Sequence, residues 1–229
     1  PEPNPAAKIL TSVISHPIDG MAVLDAGHKS TAPDQGSPVL EGIEGGNATR
    51  FSAEHGIVEL EGEAQNKLKA GDKAWLIPYE LGGTVNQYDY FRAAKNGKLE
   101  GFWPISARGR LGQKTPPPPP KIGVFKMNEH YRPTPGTPME DLDTPCLVID
   151  MDDLDNNMDV IAKTYEGRTA KLRGHAKNHK TPAIAHRQIR RGGTVGGVCA
   201  AKVSEAEVMV HGGIASVFIT SEIVEPMKI

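Results

Sequence analysis

The rhythm of apolar and polar positions changes once along this chain. Up to about residue 110 the apolar runs are short and broken by turn residues. Residues 8–15 alternate and are rich in Ile, Leu and Val, and Met21–Leu24, Gly56–Leu60, Lys73–Ile77 and residues 98–103 are further short runs. Asp19-Gly20, Glu61-Gly62, Gly71-Asp72 and Asn96-Gly97 punctuate them. Asn-Gly between two apolar runs predicts a tight hairpin, and closely spaced short strands predict a small β-barrel or sandwich over residues 1–110. Trp75 and Trp103 fall on predicted strands and are expected in its core.

After residue 140 the pattern alternates between strand and helix. Residues 145–149 are continuously apolar, as in a buried strand. Leu154, Met158 and Ile161 then recur at helical spacing, with acidic residues in the first turn. Residues 169–177 read as a second strand, and 182–190 as a helix with Pro182 in its first turn. Residues 195–201 read as a third strand. Ser204 with Glu207 predicts a capping box, Gly212 a helix end, and residues 214–220 a fourth strand. Such alternation predicts a parallel sheet, either open or part of a (β/α) barrel of about four strands, over residues 141–229. The fold class is therefore α/β plus β. Between the halves, Pro116 to Pro120 are consecutive prolines and Pro133, Pro135 and Pro138 follow. Such a run favours an extended spacer, so 111–140 reads as a linker, with a proline-rich recognition motif as the alternative.

Composition removes several function classes. A net charge of −2 over 229 residues offers no basic face for sequence-independent nucleic-acid binding. No apolar run approaches a membrane span. Cys146 and Cys199 are too few for a disulfide framework, which points to a reducing, cytoplasmic setting. The first residue is Pro1, not Met, and the last run is cut short, so the sequence reads as a piece of a longer protein.

The chemistry concentrates in Leu172 to Thr181, reading LRGHAKNHKT. On a strand, Arg173, His175 and Lys177 share one face. Two cations and an imidazole in a row on a buried strand call for anionic partners or a ligand. At the C-terminal end of a barrel strand, a desolvated Lys177 among other cations has the lowered pKa of an amine nucleophile toward an aldehyde. The same run also reads as a solvated, charged turn. Arg191-Gly192-Gly193 and Gly196-Gly197 lack the lysine spacing of a phosphate-binding loop and read as turn and strand glycines.

From Asp143-Thr144-Pro145 through RGHAKNHKT, then GVCAAKVSEAEVMVHGGI and SVFITSEIV, about ninety residues resemble the N-terminal part of the D-threonine aldolase and D-serine dehydratase-like family. These are alanine-racemase-like enzymes of pyridoxal 5′-phosphate (PLP). The departures are Gly174 for the usual Pro and Asn178 for the usual Thr. Residues 1–110 resemble the same family's C-terminal β-domain, through Leu24-Asp25-Ala26-Gly27, Glu54-His55-Gly56, Thr84-Val85-Asn86 and Trp103-Pro104-Ile105. The two halves thus stand in reversed order, as in a fragment spanning two tandem copies, a truncated circular permutant or an artificial join. The resemblance implies a PLP-dependent lyase for D-β-hydroxy amino acids, of aldolase or dehydratase type. Half a barrel leaves an unpaired parallel edge with apolar faces, which points to a homodimer. Lys177 would be the Schiff-base lysine, with His175 and Arg173 about the cofactor. The resemblance also implies a divalent metal (Mn, Mg or Zn), but Glu80 and Gly82 stand where the family usually places a His and a Cys or Asp. Glu80 can still offer oxygen to a hard cation; Gly82 offers no side chain. His55 is a candidate ligand by residue type alone. The alternatives are a PLP carrier module and an inactive fragment.

Overall fold

The structure is a computed structural model describing residues 2–110, 133–224 and 226. The expected linker at 111–132 lies outside these residues. The rest form mixed sheets with a few helices, in two compact units: Asn4–Phe102 with Pro133–Leu154, and residues 2–3, 103–110 and 155–226.

The first unit begins with β1 (Ala7–Ile18), whose apolar residues at 9, 10 and 13 are buried. Asp19-Gly20 turns it into the antiparallel β2 (Met21–Leu24), and Gly20 supplies the positive φ. A short helix α1 (His28–Thr31) leads to β3 (Val39–Leu40), β4 (Gly46–Phe51), β5 (Gly56–Leu60) and β6 (Lys73–Ile77). Helix α2 (Leu81–Val85) precedes β7 (Tyr90–Lys95) and β8 (Lys98–Pro104). Asn96 and Gly97 both have positive φ, as the tight hairpin between β7 and β8 requires. Strands β3, β4 and β7 carry no clean alternation, and the sequence pattern passed over them.

The apolar run expected as the first barrel strand is β9 (Cys146–Asp150), and it belongs to this unit. It pairs antiparallel with β1 and parallel with β7 in a nine-stranded mixed sheet ordered β4-β5-β2-β1-β9-β7-β8, with β6 on β1 and β3 on β6. The physical reason is burial on both faces: four of its five residues are buried, a pattern that fits any central strand. Leu10, Ala94, Leu99, Leu142, Cys146 and Val148 pack together there, with Trp75 and Met139 half-buried against them. Residues 133–140, expected as linker, bond the β7–β8 hairpin instead: Leu99 N–H donates to Thr137 O (2.8 Å) and Met139 N–H to Gly97 O (2.9 Å).

The second unit takes most of α3 (Met151–Thr164), then β10 (Leu172–His175), α4 (Pro182–Arg191), β11 (Thr194–Ala200), α5 (Val203–His211) and β12 (Val217–Ile219). Among the described residues, the expected four parallel strands are three, in the order β10-β11-β12. Ala176, Ala185, Val198, Met209 and Ile214, with Ala107, form the core between this sheet and its helices. Asp155 on α3 takes a two-pronged hydrogen bond from Arg187 on α4 (2.5 and 2.6 Å). The same guanidinium sits 5.9 Å over the half-buried Trp103 ring.

Two glycines of β11 do separate work. Gly196, at φ +76, lies where the register with β10 shifts, as a bulge requires. Gly197 leaves room for a crossing side chain. A Cβ there would stand 2.3 Å from Ser216 O and 2.5 Å from Arg173 Nη1. Gly197→Ala is therefore expected to destabilise the chain by about 1–3 kcal/mol in urea unfolding, the usual range for overpacking. Gly101→Ala, where a Cβ meets open space, is the control and should stay near zero. Equal effects of the two would contradict this account.

Candidate functional site

Strand register assigns the faces of the small sheet. His175, Cys199 and Phe218 are aligned across β10, β11 and β12, and so are Gly174, Val198 and Val217. Val198 and Val217 pack with the helices, so the His175 row points the other way. Arg173 lies two residues before His175 on the same face. Its Nη1 donates to Ser216 Oγ (3.1 Å), past Gly197. His175 Nε2 lies 3.2 Å from Thr220 Oγ1. Two polar rungs thus cross the face opposite the helices. The alternation predicted for Arg173 and His175 is present; Ser216 and Thr220, their partners, were missed. Those two sit in an apolar segment whose alternation, Ser216, Phe218, Thr220, was the available signal.

Lys177 differs from its expectation. β10 ends at His175, and Lys177 lies in the following turn with its side chain exposed. The burial on which the sequence argument relied is absent. Its backbone is fixed nonetheless: Lys177 N–H donates to His175 Nδ1 (3.2 Å), Ala176 N–H to Cys199 O (2.8 Å) and Lys180 N–H to Ala176 O (2.8 Å). Because Nδ1 accepts that bond, the neutral ring carries its proton on Nε2 and donates to Thr220. Burial first, and the positive charge of Lys177 next, hold the His175 pKa below its usual value.

Lys180, at the end of the turn, is buried against Glu205. Lys180 keeps 8% exposure at φ +52, and Glu205 keeps 6%. Lys180 Nζ donates to Lys177 O and lies 3.9 Å from Glu205 Oε1. Glu205 Oε2 accepts N–H bonds from Ala201 (3.0 Å) and Lys202 (3.3 Å). The cap of α5 is therefore made by Glu205, not by the predicted Ser204 and Glu207. His179 Nδ1 accepts from Thr181 N–H (3.2 Å), and burial pushes its pKa down to about 4.

This has a pH consequence. Unfolding restores the His179 imidazole to a pKa near 6.5, so between about 6.5 and 4 the unfolded chain binds more protons. The contribution is complete above that window and is lost as pH falls through it. Stability should drop by about 2 kcal/mol from pH 7 to pH 5 in denaturant titrations, and His179→Gln should flatten the drop. An unchanged slope in the variant would contradict the assignment to His179.

The metal-ligand expectations fare differently. Glu80 is the N-cap of α2: Oε1 accepts from Gly82 N–H (2.8 Å) and Oε2 from Gly83 N–H. A Cβ at Gly82 would stand 2.8 Å from Glu80 Oε1, so this glycine admits the capping carboxylate. His55 is exposed in the turn between β4 and β5, its backbone bonded to Ser52. Among the described residues no three His, Cys, Asp or Glu side chains are gathered for a metal. Cys146 and Cys199 are free. No helix among them is long and apolar enough to cross a membrane.

In the first unit, a polar network joins distant segments. Asp25 accepts from Thr11 Oγ1 (2.6 Å), Ser12 N–H (2.9 Å) and Thr144 Oγ1 (2.6 Å). Lys73 Nζ donates to Ser12 Oγ (3.0 Å) and Leu142 O (3.1 Å). It brings together Leu24-Asp25 and Thr144-Pro145, the two motifs that stand in reversed order in the sequence.

Residues 6–93, covering most of the large sheet, match the family described as "Putative serine dehydratase domain". That match is in keeping with the family resemblance read from the sequence. The chain is 41% identical over 102 residues to 3-hydroxy-D-aspartate aldolase of Paracoccus denitrificans, covering 44% of this chain and 26% of that protein. It is 40% identical over 95 residues to D-threonine aldolase of Arthrobacter sp., covering 42% and 24%. The chain therefore spans about a quarter of the length of these relatives. Among solved structures, D-threonine aldolase from Filomicrobium marinum is similar at 34% identity and a TM-score of 0.43, covering 45% of this chain and 28% of that one.

Proposed function

We propose that this chain is part of a PLP-dependent lyase acting on D-β-hydroxy amino acids, of aldolase or dehydratase type, with Lys177 as the lysine that bonds the cofactor. The observation that carries the reading is the exposed Lys177 amine at the C-terminal end of β10, beside His175 and the Arg173 face. The relatives' names supply the substrate class. In this reading β10, β11 and β12 are strands of a (β/α) barrel, and the complete protein is a homodimer. The two free cysteines of this chain suit a cytoplasmic setting.

The residues present fit an anionic aldehyde cofactor: a primary amine open to solvent, with a guanidinium and an imidazole on the adjoining face. When bound, PLP supplies an electron sink for charge developing at the substrate Cα. Lys177 supplies the amine that holds it. His175, its pKa held below the usual value by burial and by Lys177 and its ring anchored to Thr220, stands beside that amine. Arg173, held toward Ser216, places a fixed positive charge on the same face.

A divalent metal does not fit Glu80 and Gly82. Both oxygens of the Glu80 carboxylate are taken by the backbone of α2, and position 82 has no side chain. The proposal routes no step through a metal at these residues.

The test is to incubate the purified chain with PLP, reduce with borohydride and locate the modified lysine by peptide mass mapping. Label at residue 177 is expected. Turnover of D-threonine or D-threo-3-hydroxyaspartate then tests the lyase assignment. Absence of any specific label would overturn the cofactor reading, and label without turnover would favour the carrier alternative.

A further inference from the structure

The buried Lys180–Glu205 pair has no part in the function proposed above. Burying two opposite charges is costly unless their remaining hydrogen-bonding capacity is used. Here it is used in one direction. Glu205 Oε2 takes the N–H groups of Ala201 and Lys202, the two residues after β11. Its Oε1 faces Lys180 Nζ at 3.9 Å. Lys180 Nζ in turn donates to the carbonyl of Lys177. A continuous chain of charge-assisted contacts therefore runs from the end of β11 to the peptide that carries the exposed Lys177 side chain. Further bonds hold the frame. Lys180 O accepts from Ala107 N–H (3.0 Å), and Thr181 Oγ1 caps α4 by accepting from Ala183 N–H (3.3 Å).

We infer that Lys180 and Glu205 are positioning residues, which fix the carbonyl of Lys177 and thereby aim its amine at the polar face of the β10–β12 sheet. This rests on the reading of Lys177 as the PLP lysine. Lys180 itself is not the reacting amine: its ammonium is buried and bonded, whereas Lys177 is exposed. The arrangement separates the two lysines of the LysAsnHisLys run by task, one presented and one used to present it. Condensation with an aldehyde takes both hydrogens of the neutral Lys177 amine and the aldehyde oxygen away as water, leaving a C=N bond that borohydride reduces.

The experiment compares the intact chain with Lys180→Met, Lys180→Arg, Glu205→Gln and the double variant Lys180→Met/Glu205→Gln. The readouts are PLP labelling at residue 177, the visible-band circular dichroism of the bound cofactor, and a thermal melt. The double variant leaves no uncompensated buried charge, so it reports positioning where a single variant loses its fold. The expected result is a melt close to the parent's for the double variant, with labelling slowed at least about ten-fold and visible dichroism reduced, and recovery of both in Lys180→Arg. Parent-like labelling and dichroism in a folded Lys180→Met or double variant would overturn the inference and leave the Lys177 reading intact. Loss of folding in both would make the pair structural and also overturn it. Absence of label in the parent would instead fail the reading on which the inference rests.

Discussion

Lys177→Ala is expected to bring specific PLP labelling of the chain down to the background of its other exposed lysines, the largest single effect of any substitution here. Lys177 and Lys180 both carry a primary amine in the LysAsnHisLys run, and the sequence reading chose Lys177 as a desolvated amine at the strand's end. The structure separates them: Lys177 is exposed, while Lys180 is buried with its ammonium on Lys177 O and near Glu205. An amine must be free of its proton and of its partners to attack an aldehyde. Lys180 would have to break both contacts and leave Glu205 buried and unpaired, a cost of several kcal/mol. After borohydride reduction, peptide mapping should place the label at residue 177 in the parent and nowhere specific in Lys177→Ala. Transfer of the label to Lys180 in that variant, at a comparable rate, would show that burial does not decide between them.

The face of this site was legible before its depth. Arg173 and His175 were assigned to one side by strand alternation alone, and register confirms that side as the one opposite the helices. Alternation is a backbone property, so it survives whatever packs above it. Burial depends on how far the strand runs and what lies beyond it. β10 stops at His175, two residues before the predicted end, and that leaves Lys177 in a turn. Glu205 illustrates a similar limit. Glu205 and Glu207 both follow Ser204 closely, and a capping pattern read on composition selected the wrong one; the carboxylate that reaches back is fixed by where α5 begins, at Val203.

The strand at Cys146–Asp150 was legible as a strand and illegible as to its sheet. An unbroken apolar run predicts burial on both faces. It contains nothing that distinguishes the middle of a parallel barrel from a slot between an antiparallel and a parallel neighbour, which is where β9 lies. Bonds between groups remote in sequence, among them those of Asp25 with Thr144 and of Lys73 with Leu142, accompany that pairing. Glu80 shows the converse. Its alignment to a metal-ligand position was a property of the family's pattern, whereas its actual partners, the N–H groups of Gly82 and Gly83, are local and follow from the glycines beside it.

Asp25→Ala is expected to cause the largest loss of stability in the first unit, on the order of 3 kcal/mol in urea unfolding, because it removes the carboxylate on which three donors converge. Thr11 is fully buried, and the bonds from Thr11 Oγ1, Ser12 N–H and Thr144 Oγ1 all end on this one carboxylate. The loss should not be spread evenly. Asp25 follows β2, Thr11 and Ser12 belong to β1, and Thr144 leads into β9, so the carboxylate fastens the entry of β9 to the strand beside it. Hydrogen exchange should therefore accelerate most at the amides of Cys146–Asp150, with smaller changes in β4 and β5. A double-mutant cycle with Thr144→Val should return a coupling of about 1–2 kcal/mol, as expected for side chains in direct contact. Additive effects, together with uniform exchange across the sheet, would mean that β9 is held by its apolar core and ladder bonds alone. The predicted coupling would instead show that Leu24-Asp25 and Thr144-Pro145, which lie more than a hundred residues apart and in reversed order, act as one structural element.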